Sequence, residues 1–152
     1  MITEDIVNKL NSLAKLDYDA LESYNEAIKK IDQSEIREQL SKFRDDHDRH
    51  FQVLSDLIIK YGGIPTSRSR DIRGVFLGTA TTLQSMAGTE GTLKAVQTGE
   101  KITNDSYRDA ISQDYPQDVK RVLEKNYDDE QNHLSYVNYA LANKTWENRR
   151  AA

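Results

Sequence analysis

The architecture of this chain follows from two stretches of twelve residues: FRDDHDRHFQVL at residues 43–54 and NYDDEQNHLSYV at residues 126–137. The two stretches align without a gap when 83 is subtracted from the positions of the second. In each stretch, two side chains with metal-binding atoms stand three residues apart, a spacing that places both on one face of a helix. The aligned positions are His47 with Glu130 and His50 with His133. The sequence therefore predicts two related helices, each with a pair of such side chains on the same face.

The same offset relates the segments that precede these stretches, because Leu10 aligns with Leu93 and Tyr24 with Tyr107. Apolar residues alternate at spacings of three and four in four segments, which is the pattern of a helix with one buried stripe. The predicted helices cover about residues 3–31, 34–61, 89–113 and 116–142. We interpret the chain as an all-α, antiparallel four-helix bundle of two similar hairpins, and a duplicated hairpin accounts for the constant offset.

A long connection separates the two predicted hairpins. The second helix is expected to end at Gly62-Gly63, and the crossover covers about residues 62–88. Within it, an apolar piece favours a shorter extra helix over about residues 69–86. The whole chain is predicted to form one domain, whose polar end at about residues 143–152 frays.

The composition excludes several kinds of chemistry. There are no cysteines, so disulfides, iron–sulfur clusters and thiol catalysis are excluded, and any bound metal must have nitrogen and oxygen ligands. The net charge of −4 argues against nucleic acid as the main partner, because phosphate binding requires a basic field. No apolar run approaches the length of a membrane span and no signal peptide is visible, so we expect no membrane partner and a cytoplasmic location. A symmetric homodimer is expected from the frequency of such dimers alone.

Each of the four apolar stripes is interrupted near its middle by side chains with metal-binding atoms. Burial of a carboxylate or an imidazole costs free energy unless the group is paired, hydrogen-bonded or metal-bound. All three histidines of the chain lie on these stripes. We therefore predict a site for divalent metal ions, and a hydrogen-bonded polar core is the structural alternative. The predicted ligands are Asp17, His47, His50, Glu100, Glu130 and His133.

These residues resemble the signature of the ferritin-like superfamily, which has one Glu on each of two helices and Glu-x-x-His on each of the other two. Residues 130–133, Glu-Gln-Asn-His, match that motif in full. The Gly-Gly-x-Pro end of the second helix and the helical crossover are similar to an uncharacterised bacterial family of this type. The likeness covers roughly residues 3–142. It implies a ferritin-like bundle with a pair of metal ions, for which iron is expected and zinc or manganese are alternatives.

The resemblance also implies roles for four further side chains. Asp46 and Asp129 stand just before the ligand motifs and would orient the histidines. Tyr24 and Tyr107 each follow a stripe acid by seven residues. They would hydrogen-bond the ligands, or else be core aromatics with satisfied hydroxyls.

Two positions depart from the family pattern. Asp17 is one methylene shorter than the usual Glu, and His47 stands where the family has a bridging Glu. Only Glu130 is then placed to bridge two ions, which weakens the expectation of an oxygen-activating di-iron centre. The leading hypothesis is a metal-binding protein with oxidase or ferroxidase-type chemistry. The alternative is a non-enzymatic, stress-related or interaction bundle with a degenerate or single-metal site.

Overall fold

A computed structural model describes residues 2–68 and 88–147 of the chain. These residues form four long helices and no strand, which confirms the predicted four-helix bundle, and each helix begins and ends within two residues of its predicted bounds. The predicted crossover helix, residues 69–86, lies outside the described residues. A single turn of 3-10 helix follows the last long helix at Thr145–Glu147. The long helices are α1 Thr3–Lys30, α2 Ser34–Lys60, α3 Gly88–Ile111 and α4 Gln117–Asn143.

The helices pack as two hairpins side by side. α1 and α2 are joined by residues 31–33 and α3 and α4 by residues 112–116, and connections this short make their helices antiparallel neighbours. The last carbonyls of a helix lack partners within the helix. Just beyond this end of α1, Arg37 donates from Nη1 to the carbonyl oxygens of Ile31 and Asp32 in the connection to α2. The second hairpin then packs with α3 against α1 and α4 against α2.

Two glycines end α2 for different reasons. Gly62 has φ +80°, a left-handed conformation that favours glycine, and its N–H donates to the carbonyl of Ile59. Gly63 donates to the carbonyl of Ile58. A Cβ atom at Gly63 would lie 2.4 Å from Cγ1 of Val7, so the lack of a side chain there lets the end of α2 approach the start of α1.

In the described residues, the predicted apolar stripes form two large core clusters, one towards each end of the bundle, and Leu16 and Ala20 form a small third one. The first includes Leu10, Leu54 and Leu123, and the second includes Leu40 and Leu93. Burial of each such side chain stabilises the fold by about 1.5–3 kcal/mol before entropy is counted. The ligand-type residues lie between the two clusters, so their positions are set by well-packed layers on both sides.

The outer faces of the helices are polar and carry ion pairs between elements, such as Lys60 with Asp118 and Arg68 with Asp48. Within the described ranges, no helix offers an apolar length sufficient to cross a bilayer.

Candidate metal centre

The six predicted ligand residues meet in the polar layer between the two core clusters. Each interrupts the apolar stripe of its own helix, so the packing that buries the stripes also brings these side chains together. None is more than 2% exposed. They are Asp17 on α1, His47 and His50 on α2, Glu100 on α3, and Glu130 and His133 on α4.

The first group of ligand atoms surrounds Oδ1 of Asp17. This oxygen lies 2.8 Å from Nδ1 of His47 and 3.0 Å from Nδ1 of His50. Oε1 of Glu130 lies 3.4 Å from Nδ1 of His47 and 3.3 Å from Nδ1 of His50. Each of the four side chains thus offers one atom to a common space, with all four atoms within 4.8 Å of one another.

The second group surrounds Oε1 of Glu100. This oxygen lies 3.3 Å from Nε2 of His47 and 3.4 Å from Nδ1 of His133. Oε2 of Glu130 lies 3.4 Å from Nδ1 of His133. Because His47 and Glu130 belong to both groups, the two groups adjoin.

The spacing of these atoms, and the lack of hydrogen-bond partners for two of them among the described residues, suit the binding of metal ions. Two ligand atoms bound at about 2.1 Å to one ion lie about 3.0 Å apart at a right angle and about 3.4 Å apart at the tetrahedral angle. The separations above match these values. Among the described residues, Oε1 of Glu130 and Nδ1 of His133 are buried without a hydrogen-bond partner, which is costly unless a cation satisfies them. Carboxylates and imidazoles without sulfur fit hard or borderline divalent ions.

Acidic side chains hold the outer nitrogens of two histidines. Nε2 of His50 lies 2.9 Å from Oδ2 of Asp129, and Nε2 of His133 lies 2.8 Å from Oδ2 of Asp46. Each acid thus contacts a histidine of the opposite hairpin. Arg49 joins the two acids, with Nη2 3.1 Å from Asp46 and 2.6 Å from Asp129. These contacts leave Nδ1 of both rings facing the ligand groups, as outer partners of metal-binding histidines commonly do.

The two tyrosines also connect the hairpins. Tyr24 donates from its hydroxyl to Oε1 of Glu100 at 2.5 Å, and Tyr107 donates to Oδ2 of Asp17. Each tyrosine therefore holds the acid of the other hairpin and not the acid seven residues before it on its own helix. Burial and the adjacent carboxylate raise the pKa of both hydroxyls well above the ordinary value. Both hydroxyls therefore stay protonated and act as donors.

Thr103 and Asn126 are further polar residues of the layer that were not predicted as site residues. Oγ1 of Thr103 lies within 3.2 Å of a carboxylate oxygen on Glu100 and on Glu130. Nδ2 of Asn126 donates to the hydroxyl of Tyr107 at 3.2 Å. Thr103 and Asn126 interrupt the apolar stripes as the ligands do, so the periodicity of the sequence contained the signal that would have found them.

Charges within the layer shift the pKa values of its histidines and acids. Burial alone lowers the pKa of an imidazole, but the charge of Glu130 and the hydrogen bond to Asp17 raise the pKa of His47 to about 9. The charge of Glu100 likewise outweighs burial and raises the pKa of His133 to about 12. Although burial opposes it, the charge of the histidines lowers the pKa of Asp17 and, further, that of Glu100. Protons and metal ions therefore compete for these side chains.

The fold is a four-helix bundle with buried carboxylates and imidazoles at its centre. A solved structure that is similar is described as the crystal structure of ferritin-like, diiron-carboxylate proteins from Bacillus anthracis str. Ames. The TM-score is 0.73, and the match covers 93% of this chain and 99% of that chain at 18% sequence identity. At this identity the likeness shows the shared fold.

The sequence also places the chain in a family. Residues 5–113 match the model of DUF2383, a domain of unknown function, and because this is more than half of the chain, the chain belongs to that family. No curated protein is significantly similar to it in sequence. Together, the family and the fold confirm the predicted resemblance to a ferritin-like family of unknown function.

Proposed function

We propose that the chain binds two divalent metal ions in its buried layer, one at each ligand group. The observation that carries this proposal is the convergence of six buried ligand-type side chains that leave Oε1 of Glu130 and Nδ1 of His133 without hydrogen-bond partners among the described residues. Iron is the proposed metal, with zinc and manganese as alternatives. The ligand set of carboxylates and imidazoles in equal number fits iron, because imidazole suits iron as well as zinc. The description of the similar Bacillus anthracis structure as a diiron-carboxylate protein also supports iron.

The ligands divide between the two positions. Asp17 and His50 contribute to one position only, and Glu100 and His133 to the other. Glu130 offers Oε1 to the first and Oε2 to the second. This arrangement supports a dinuclear centre, because one carboxylate reaches both groups.

The proposed reaction is of the oxidase or ferroxidase type. Bound ferrous iron supplies electrons to oxygen or peroxide in such centres. The surrounding residues keep the layer free of bulk water through burial. Tyr24 and Tyr107 keep Glu100 and Asp17 in place by donating hydrogen bonds to them.

The test is to load metal-free protein with ferrous iron under anaerobic conditions and then to mix it with oxygen. We expect close to two iron ions per chain and oxidation faster than that of ferrous iron in buffer alone. Glu130→Gln keeps the size of the side chain but removes the shared carboxylate, and it should bind less iron. Protein that takes up no iron contradicts the whole proposal. Two bound ions without oxidation contradict only the redox chemistry.

The alternative is a non-enzymatic bundle with a degenerate or single-metal site. The observation that favours it is the direct pairing of imidazole and carboxylate, as between His47 and Asp17, which would neutralise the layer without metal. A degenerate site predicts that added iron leaves the melting temperature unchanged, and a single-metal site predicts one bound iron ion per chain. A dinuclear site predicts a rise in melting temperature, because a ligand that binds only the native state stabilises it by mass action.

A further inference from the structure

Both ring nitrogens of His47 face carboxylates of the metal centre. Nδ1 lies 2.8 Å from Oδ1 of Asp17, and Nε2 lies 3.3 Å from Oε1 of Glu100. These two carboxylates belong to different ligand groups. The imidazole of His47 therefore extends from one group into the other.

The other two histidines of the chain are arranged differently. Nε2 of His50 is held by Asp129 and Nε2 of His133 by Asp46, at 2.9 and 2.8 Å. Each of these rings has only Nδ1 left to bind a metal. Among the described residues, His47 has no such outer acid, and both of its nitrogens lie within the ligand groups.

The position of His47 in the repeat points to the same role. At the offset of 83, His47 is the counterpart of Glu130, the carboxylate that reaches both groups. Glu130 offers Oε1 to the first group and Oε2 to the second. His47 offers Nδ1 to the first and Nε2 to the second. The two residues thus have equivalent access to both positions.

We propose that His47 bridges the two metal positions, with Nδ1 as a ligand on the side of Asp17 and Nε2 as a ligand on the side of Glu100. This inference rests on the proposed function, because a bridge requires an ion at each position. It replaces the expectation from the sequence that Glu130 alone is placed to bridge.

The charge of the centre favours a bridge through the deprotonated ring. The usual ferritin-like ligand set has four carboxylates, whose negative charges balance the positive charges of two divalent ions. This centre has three. When both nitrogens of His47 bind metal, the ring releases its N–H proton to solvent and becomes an imidazolate, which carries the fourth negative charge. No electron is transferred in this step. The buried layer is then electrically neutral, which avoids the cost of burying an uncompensated charge.

The bridge can be tested with zinc and nitrogen-15 NMR of the histidine rings. The chain contains three histidines, so three rings are to be assigned, with His47→Gln and His50→Gln identifying their own signals. We expect two zinc ions per chain and metal-bound shifts at both nitrogens of His47, which has no N–H. His50 and His133 should each keep an N–H at Nε2. An N–H retained on His47 with two zinc ions bound overturns the bridge and leaves the proposed metal centre intact.

Zinc stoichiometry separates the remaining outcomes. One zinc ion per chain, or none, overturns the bridge. Protein that also takes up no iron overturns the proposed function together with it. A matched pair of variants on one helix can be compared by competition with a chromogenic chelator. His47→Gln should weaken zinc binding at both positions by more than about tenfold, whereas His50→Gln should weaken it at one. Weakening at a single position in His47→Gln overturns the bridge, provided that circular dichroism shows both metal-free variants to be folded.

Discussion

Arg49 lies outside the buried layer, but it contacts both acids that hydrogen-bond the histidines of that layer. Its side chain is 41% exposed, and Nη2 reaches Asp46 and Asp129, which hold His133 and His50. Without a cation between them, the two carboxylates would repel each other. A surface residue thereby contributes to the orientation of two buried imidazoles.

We predict that Arg49→Met lowers zinc affinity by about tenfold, because residues that support metal ligands commonly have effects of this size. Competition with a chromogenic chelator measures it. Arg44→Met is the matched control, since Arg44 is on the same helix but contacts only Asp45 and Asn25 among the described residues. Equal affinities for the two variants would show that Arg49 has no role in orienting the ligands.

A second prediction at this scale concerns the metal-free protein. The pKa of His47 rises from 6.5 in the unfolded chain to about 9 in the fold. A raised pKa means that the native state binds the proton more tightly, so this stabilisation is complete below pH 6.5 and is lost as the pH rises towards 9. The free energy of unfolding by urea, measured with a chelator present, should therefore fall across this range. A constant free energy would contradict the charge pairing in the layer, and zinc-saturated protein is the control.

The sequence pointed to the candidate ligands of the buried layer more readily than to the side chains that contact them. Asp17 and His47 interrupt apolar stripes, and a buried polar side chain on a stripe has few explanations apart from pairing or metal binding. Arg49 was not predicted because it lies on the outer face of α2, where a charged residue is ordinary. Its contact with Asp129 of α4 depends on how the hairpins are placed, and a periodic pattern within one helix carries no information on that.

At the scale of the helices, the bounds and the buried faces were predictable because the apolar spacing is regular. The pairing of polar groups between helices was not. Tyr24 and Asp17 share α1 and stand seven residues apart, yet Tyr24 donates to Glu100 and Asp17 accepts from Tyr107. The exchange arises from the placement of α1 against α3, which brings the two acids and the two tyrosines into one layer. These bonds tie one hairpin to the other.

We predict that Tyr107→Phe lowers the free energy of unfolding by about 1–3 kcal/mol, because Asp17 loses a donor in a buried site. Tyr115→Phe is the control. Tyr115 is also buried, but its hydroxyl has no hydrogen-bond partner in the described part of the chain, so its removal should cost nothing or stabilise the protein. Chemical unfolding measures both. A similar loss in the two variants would contradict the link between hairpins.

The glycines at the end of α2 give a further prediction. Gly63→Ala should destabilise the protein by about 1–3 kcal/mol, because its Cβ would meet the side chain of Val7. The loss should shrink in a Val7→Ala background. Gly62→Ala should destabilise the protein by about 1–2 kcal/mol, because Gly62 has a positive φ. This loss should be the same with Val7 and in the Val7→Ala background. A double-mutant cycle measures the coupling, and its absence for Gly63 would show that α2 and α1 are not in close contact there.

The described part of the molecule has two large apolar clusters with a polar layer between them. Burial in these clusters stabilises the bundle, and ions bound at the proposed centre would add to that stability if they bind only the native state. This organisation was predictable, since the offset of 83 relates the two hairpins and their ligand motifs. The single domain, the cytoplasmic location, the lack of nucleic acid and the homodimer stay predictions from the sequence.

The most direct test of the dinuclear centre is anomalous diffraction at the iron absorption edge from crystals of iron-loaded protein. We predict two peaks in the buried layer, one between Asp17 and His50 and the other beside His133. A single peak would contradict a dinuclear centre. If crystals of protein incubated with excess ferrous iron show no peak in the layer, the result would contradict a metal site there altogether.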